Sequence, residues 1–367
     1  MARTTRPLPA ERQLVERVLD AWDRHEALEL RGGGTKHFYG EAPRGAVLDL
    51  RPLRGVIDYE PTELVVTARC GEPLAEIEAL LAEQDQHLAF EPPHFAAGGT
   101  VGGMVAAGLA GPARAAAGAL RDHVLGVRLL NGRGEILRFG GQVMKNVAGY
   151  DVSRLLAGSL GILGIMLEVS LKVLPLPAAV ETLGFELPEA EALQRLRAWA
   201  SRPLPVNASA WHEGRLWVRL AGAQAAVRTA AAALGGQRLD RDEAALWWAA
   251  VRDHRHPFFR LDDEALAAGT SLWRMSLPPA APVLELPGAG FIEWGGAQRW
   301  LRSSAPGEAV RQAAQRAGGH ATWVRGLARD VGVFTPPSAV TMQLHRRLKD
   351  AFDPHRLFNP GRLFPDL

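Results

Sequence analysis

Three glycine-rich stretches in the first half of this 367-residue chain constrain its fold more than any other feature. They are "RGGGTKHFYG" at 31–40, "AAGGTVGG" at 96–103 and "AGSLGILG" at 157–164. Consecutive glycines cost backbone entropy that an ordinary turn does not need. A simple turn between strand and loop accounts for the first stretch taken alone. That stretch does not fit GxxxxGK[ST], and it fails GxGxxG because His37 stands where the last glycine belongs. Its functional reading is a nest of N–H groups around phosphate oxygens, assisted by Thr35 and Lys36. Three such loops so close together favour backbone approach to one extended ligand. A large dinucleotide fits, because its pyrophosphate, ribose and ring each need separate close contact.

The surrounding pattern supplies the frame for these loops. Leu14, Val18, Leu19 and Trp22 share helical spacing in the opening segment. "ALEL" reads as a short buried strand running into the first glycines, with "AVLDL" (46–50) and "ELVVTARC" (63–70) as further strands. "PLAEIEALLAEQ" (73–84) is a helix, and "NGRG" in "VLGVRLLNGRGEILRFG" (124–140) supplies a hairpin turn. "DVSRLLAGS" suits one or two helical turns, and "GIMLEVSLKVLPLP" a long strand ending at prolines. Composition changes near residue 178. Nine of the ten tryptophans lie between Trp199 and Trp323, so the second half has the bulkier core. Strands at 215–222 and 271–278, alternating with a helix over 222–234, predict an antiparallel sheet with helices on one face. The last segment reads as a helix stopping before Asp353-Pro354, then a compact turn.

The length predicts two domains. A formal charge of +2 argues against non-specific nucleic-acid binding as the main role. The single cysteine, Cys70, excludes an internal disulfide and any iron–sulfur cluster ligated by cysteines of this chain alone. The N-terminus lacks the apolar core of a signal peptide, and no run of about 18 uncharged apolar residues occurs. The expectation is a cytoplasmic protein with no membrane span of its own, reaching the inner membrane only through partners.

Taken as a set, "RGGGTK", "FEPPHFAAGGTVGGMVAAGLAGPARAAAGALRDHVLG", "GGQVMKNVAGYDVSRLLAGSLGILGIMLEVSLKVLP" and "AFDPHRLFNPGRLF" resemble the vanillyl-alcohol-oxidase-type (PCMH-type) flavoprotein superfamily. "FEPPHF…GPAR" and "VMKNVAGYD" look most like the FAD-binding E subunits of bacterial glycolate oxidases. The match is strong over roughly 28–176 and 340–364. In the middle it rests on "LWRMSLP" and "WGGAQRW". The resemblance implies an α+β protein with three parts. These are an FAD-binding domain of two α/β subdomains (1–176), an α+β cap with an antiparallel sheet (177–335), and a C-terminal segment returning to the FAD domain (336–367). Carried onto this chain, Gly32, Gly33, Gly34, Thr35 and Lys36 would hold the pyrophosphate. Pro93, Gly98, Thr100, Gly102 and Gly103 would line the second side. Gly149, Tyr150 and Asp151, with Gly158, Ser159, Gly161, Gly164 and Ile165, would complete the cleft, and Asn359 would return to it from the C-terminus. Relatives with covalent flavin often carry histidine where Thr35 stands, so the FAD is expected to be non-covalent.

The resemblance further implies a complex that oxidises glycolate and similar short 2-hydroxy acids to 2-oxo acids. The partners would be a second, catalytic FAD-binding subunit and an iron–sulfur subunit. The metal-binding "HxGDGNxH"-like stretch of related dehydrogenases is missing here, so no metal site is expected and no catalytic residue is assigned. His254 and His256 in "RDHRHPFF" read as surface or core-edge histidines, and His94 as structural or cofactor-packing. Arg274 and Arg325 could pair with a carboxylate, but solvated or salt-bridged arginine is the better reading of both. Two alternatives stay open: a self-sufficient oxidase of another alcohol or hydroxy acid, and a non-catalytic flavin-binding assembly module.

Overall fold

A computed structural model of the chain describes residues 9–141, 151–327 and 331–367. The helix Pro9–Arg24 turns Leu14, Val18 and Ala21 inward. It leads into a parallel pair of short strands, Leu28–Arg31 beside Ala46–Asp49, with Phe358 from the far end of the chain bridged to Leu28. The first glycine stretch leaves directly from the end of the first of these strands.

A five-stranded antiparallel sheet follows. It holds Val56–Glu60, Val65–Arg69, Ile165–Lys172, Val124–Leu130 and Ile136–Gly140 in that spatial order. Its central strand, Ile165–Lys172, is buried on both faces, as its continuous apolar run requires. The helices Leu74–Ala82 and Val101–Ala107 cover one face through Ile77, Leu81, Met104 and Val105. The opposite face carries a buried ion network. Glu11 of the first helix meets Arg69 and Arg128 at 3.2 Å each, and Arg128 also binds Glu168. The second glycine stretch caps the helix Val101–Ala107, where Thr100 Oγ1 accepts from the Gly103 N–H at 3.2 Å. "DVSRLLAGS" forms a single turn, Val152–Leu155.

The second half builds one eight-stranded antiparallel sheet, which includes Arg215–Gly222 and Ser271–Ser276. Helices lie on both faces rather than one. Glu189–Ala200, Gln224–Leu234 and Gly307–Arg316 pack on the face of Val218 and Trp273. Arg241–Arg252 packs on the opposite face, where Trp248 joins Trp217, Phe291 and Trp300. The tryptophans explain the correction: Trp217 and Trp300 alternate out of register with Val218 and Leu301, so both faces are apolar and both must be covered. The rest of the second face looks toward the glycine loops. Arg274 Nη2 donates to Tyr39 Oη at 2.9 Å, Trp294 Nε1 to the Gly111 carbonyl at 3.0 Å, and Arg219 pairs with Glu91 at 2.7 Å.

The helix Ala339–Phe352 brings the chain back to the first half. Its Lys349 is fully buried and bonds Asp353 at 2.7 Å and the carbonyls of Ile162 and Phe358 at 2.6 and 2.9 Å. Among the described residues no helix is long and apolar enough to cross a membrane.

Candidate functional site: a glycine-walled cleft

The first two glycine stretches meet backbone to backbone. A Cβ placed on Gly33 would stand 1.7 Å from the Gly98 carbonyl oxygen, and one on Gly32 would stand 2.3 Å from Thr100 Oγ1. No side chain fits either place, which is the physical reason for glycine there. Next to this contact opens a cleft with about 630 Å³ of atom-free space. Its walls include Gly32, Gly33, Gly34, Thr35, Lys36, Thr100 and Gly103. An adjoining hollow of about 420 Å³ continues past Gly102, Gly161 and Gly164. Asn359 borders both spaces. Its Oδ1 accepts from the Leu30 N–H at 2.8 Å, and its Nδ2 donates to the Leu160 carbonyl at 2.7 Å. A Cβ on Gly161 would lie 2.8 Å from that same Nδ2.

The cleft is cationic. Arg31, Lys36 and Arg362 border it, while Glu29, the one carboxylate bordering it among the described residues, is neutralised by Arg31 at 2.7 Å. Arg362 is spent on the turn itself, donating to the carbonyls of His37 and Tyr39 at 2.9 and 2.8 Å. Lys36 has no carboxylate partner among the described residues. Burial pushes its ammonium down to about 8, with Nζ 5.9 Å from the centre of the Phe95 ring. A long cleft with exposed glycine backbone and an unpaired, half-buried ammonium suits a diphosphate flanked by flat rings. The residues present therefore fit FAD.

Other expected site residues sit elsewhere. Pro93 borders a separate chamber facing the eight-stranded sheet. Asp151 is exposed and is used as a helix cap, accepting from the Arg154 N–H and pairing with the Arg154 side chain at 2.8 Å. Ser159 turns its hydroxyl to the Leu156 carbonyl at 2.8 Å. Gly158 is approached by Gly108, whose Cβ would lie 2.7 Å from the Gly158 Cα, so it serves close chain packing. Ile165 points into the core with no exposure, because strand alternation aims it away from the cleft. Gly149 and Tyr150 lie outside the described residues.

Residues that pattern reading passed over include Tyr39, Ala106, Leu160 and Arg362. Only Arg362 had a local signal, its place in "FNPGR". His94 points away from the cleft and pairs with Glu78 at 2.8 Å. His254 and His256 have separate surroundings. His254 stacks on Phe259, with ring centres 4.4 Å apart, while His256 faces His212 edge-on at 5.6 Å. Neither Arg274 nor Arg325 has a carboxylate partner among the described residues. They lie instead over the Tyr39 and Phe38 rings, 5.5 and 4.5 Å from the centroids.

Comparison with known proteins agrees with this geometry. Residues 8–140 match the family "FAD binding domain", and residues 336–363 match "FAD linked oxidases, C-terminal domain". The chain is 46% identical to the glycolate oxidase subunit GlcE of Escherichia coli (strain K12), over 96% of this chain and 97% of that one. It is 30% identical to the glycolate oxidase subunit GlcD of Bacillus subtilis (strain 168), over 48% of this chain and 38% of that one. A solved alkyldihydroxyacetonephosphate synthase superposes with a TM-score of 0.64 at 16% identity, covering 95% of this chain and 75% of that one, a likeness of fold.

Proposed function

Since this chain belongs to the family of glycolate oxidase E subunits, FAD-dependent oxidoreductases, we propose that it is the FAD-carrying E-type subunit of a complex that oxidises glycolate to glyoxylate. Its partners in this reading are a second FAD-binding subunit, where the catalytic oxidation is centred, and an iron–sulfur subunit that takes the electrons onward. The lone, buried Cys70 supports the need for a relay on another chain. Residues 1–176 act as the flavin unit, 177–335 as the cap and 336–367 as the returning segment. Bound FAD supplies the two-electron chemistry. This chain's residues hold it: the peptide groups of Gly32–Gly34 and the Lys36 ammonium around its diphosphate, with Thr100, Gly103 and Asn359 along the other walls. Thr35 has no ring nitrogen with which to bond the flavin, so the cofactor is held without a covalent link.

The observation that carries this reading is the backbone contact of Gly33 with Gly98, which leaves no room for a side chain beside a cationic, glycine-walled cleft suited to a diphosphate. The test is to purify the complex with wild-type or Gly33→Val chain, measure flavin released by acid, and follow glycolate-dependent dye reduction. We expect acid-released FAD from the wild-type chain, and loss of this chain's FAD together with at least tenfold lower dye reduction in G33V. Full FAD occupancy in G33V would sink the assignment of the cleft, and undiminished turnover would sink the role.

A further inference from the structure

A third space lies apart from the glycine-walled cleft and from the chamber that Pro93 shares with Glu293, Gln298 and Trp300. It is a groove on the second half with about 1150 Å³ of atom-free space, of which about 500 Å³ admits the centre of a water molecule. The glycine-walled cleft has about 630 Å³, so the groove is too large for a packing fault. One wall is the helix Arg241–Arg252, which turns Arg241, Ala244, Ala245, Trp248, Ala249 and Arg252 to it. Those positions recur every three or four residues, so they form one face along the whole helix, about 16 Å. The other wall is the start of strand Ala179–Glu186, through Val180, Glu181 and Thr182.

That strand has only a two-residue stub for its outer neighbour. Arg238 and Gln237 pair with Leu183 and Gly184, and the Leu239 N–H donates to the Thr182 carbonyl at 3.0 Å. Before Thr182 the strand has no outer partner among the described residues. In an antiparallel ladder the N–H and C=O of one residue point to the same side, and alternate residues point alike. The Thr182 carbonyl points outward, so the N–H and C=O of Val180 do too. The Val180 side chain is also uncovered, at 47% exposure. Unpaired edge groups of this kind are a template for another strand.

The charges lining the groove are unequal. Glu91 holds Arg219 and Glu181 holds Arg238, each at 2.7 Å, and Asp253 holds Arg252 at 2.8 Å. Arg241 has no carboxylate partner among the described residues. Asp240 is used as the helix cap, and Asp242 and Glu243 do not line the groove. Between the ends the surface is apolar, since Trp248 Nε1 is already engaged by Thr182 Oγ1 at 3.0 Å. Ala244, Ala245 and Ala249 keep the helix wall low enough for another backbone to lie alongside.

We propose that this groove takes an extended segment of a partner subunit, which adds a strand beside Val180 and sets an acidic side chain against Arg241. About five residues of extended chain span the 16 Å. Residues 1–8 and 142–150 of this chain carry basic side chains and no acidic one, so neither supplies that acid. The assignment rests on the reading of the chain as one subunit of a complex, and it gives that complex a specific point of attachment.

The test is hydrogen exchange over residues 178–182, read by mass spectrometry on the FAD-loaded chain alone and in complex with the second FAD-binding subunit and the iron–sulfur subunit. The dissociation constant of the chain from those partners is the second reading. We expect exchange at least about tenfold slower in the complex. Val180→Pro removes the outward N–H, which an edge strand tolerates, and should weaken assembly about tenfold. Ala245→Phe, at an exposed helix position, fills the groove and should weaken assembly by about tenfold or more. Arg241→Glu should weaken it about tenfold at low salt and by less at high salt. FAD content and melting temperature should stay at wild-type values in all three. Exchange unchanged by assembly, or wild-type affinity in all three variants, overturns the groove and leaves the proposed function standing. A wild-type chain that forms no complex overturns the subunit reading and the groove with it. Slow exchange in the chain alone that is lost on dilution would seat a second copy there. A small carboxylate retained in native mass spectrometry and lost in A245F would seat that molecule instead, and either result overturns the partner segment.

Discussion

At the scale of single residues, Lys36 shows how an unremarkable sequence position becomes a tuned one. Its ammonium is lowered to about 8 because burial removes water, and among the described residues no carboxylate pairs with it. A diphosphate beside it would favour the charged form, so FAD binding takes up a proton once the pH exceeds that value. FAD affinity should therefore fall as the pH rises from 8 to 9.5, read by flavin-fluorescence titration. Lys36→Met should bind more weakly at pH 7 and show no such slope, whereas an unchanged slope in K36M would place the titrating group elsewhere. The glycines were legible in the sequence because few residues tolerate backbone contact. Gly33 had to be small, and Gly98, whose backbone it touches, carried the same signal. Glu293 and Gln298 were not legible. Nothing in "FIEWGGAQRW" marks which side chains face a chamber until the strand register aligns Glu293 with Gln298 and Trp300 with Arg274.

At the scale of elements, strands and helices with a clear period were readable almost to the residue. Arg215–Gly222, Gln224–Leu234 and the hairpin at 124–140 all form where alternation or helical spacing placed them. The stretch 95–122 was opaque because alanine and glycine have no sidedness. It folds into three short helices, Val101–Ala107, Arg114–Ala117 and Leu120–His123. Strand Val56–Glu60 was also missed, since an edge strand with four exposed residues shows little apolar pattern. The C-terminal helix rests on one buried cation. Lys349→Met leaves the Asp353 carboxylate buried beside apolar neighbours, with only the N–H groups of Leu357 and Phe358 to hold it. Denaturant unfolding should show a loss of about 3–5 kcal/mol. Adding Asp353→Asn should recover part of that loss. A loss below about 1 kcal/mol in the single variant would mean that the pair contributes little to holding the segment.

At the scale of the whole molecule, the two halves are joined by specific polar contacts as well as apolar ones. The Val333 N–H donates to Glu41 at 2.6 Å, and the His94 N–H donates to Asp253 at 2.9 Å. That the second half forms an antiparallel sheet was foreseeable from its alternating strands and helices, and that it caps the flavin half only from the family resemblance. That its helices would cover both faces was not, because periodicity marks an apolar face without saying what covers it. Asn359 acts at this scale. It ties the strand after the first helix to the loop carrying Leu160, and its replacement by Ala removes both bonds. FAD affinity should fall about tenfold in N359A, corresponding to about 1.4 kcal/mol. Unchanged affinity would show that the cleft closes without it.

The Asn359–Leu30 bond spans 329 positions, from near the end of the chain to near its beginning. Synthesis runs from the N-terminus at about 5–20 residues per second. The glycine loops are therefore made early, yet Asn359, which borders their cleft, follows Leu30 by 329 residues. Until Asn359 is made, the nascent chain exposes an open, cationic groove that lacks one of its bordering residues.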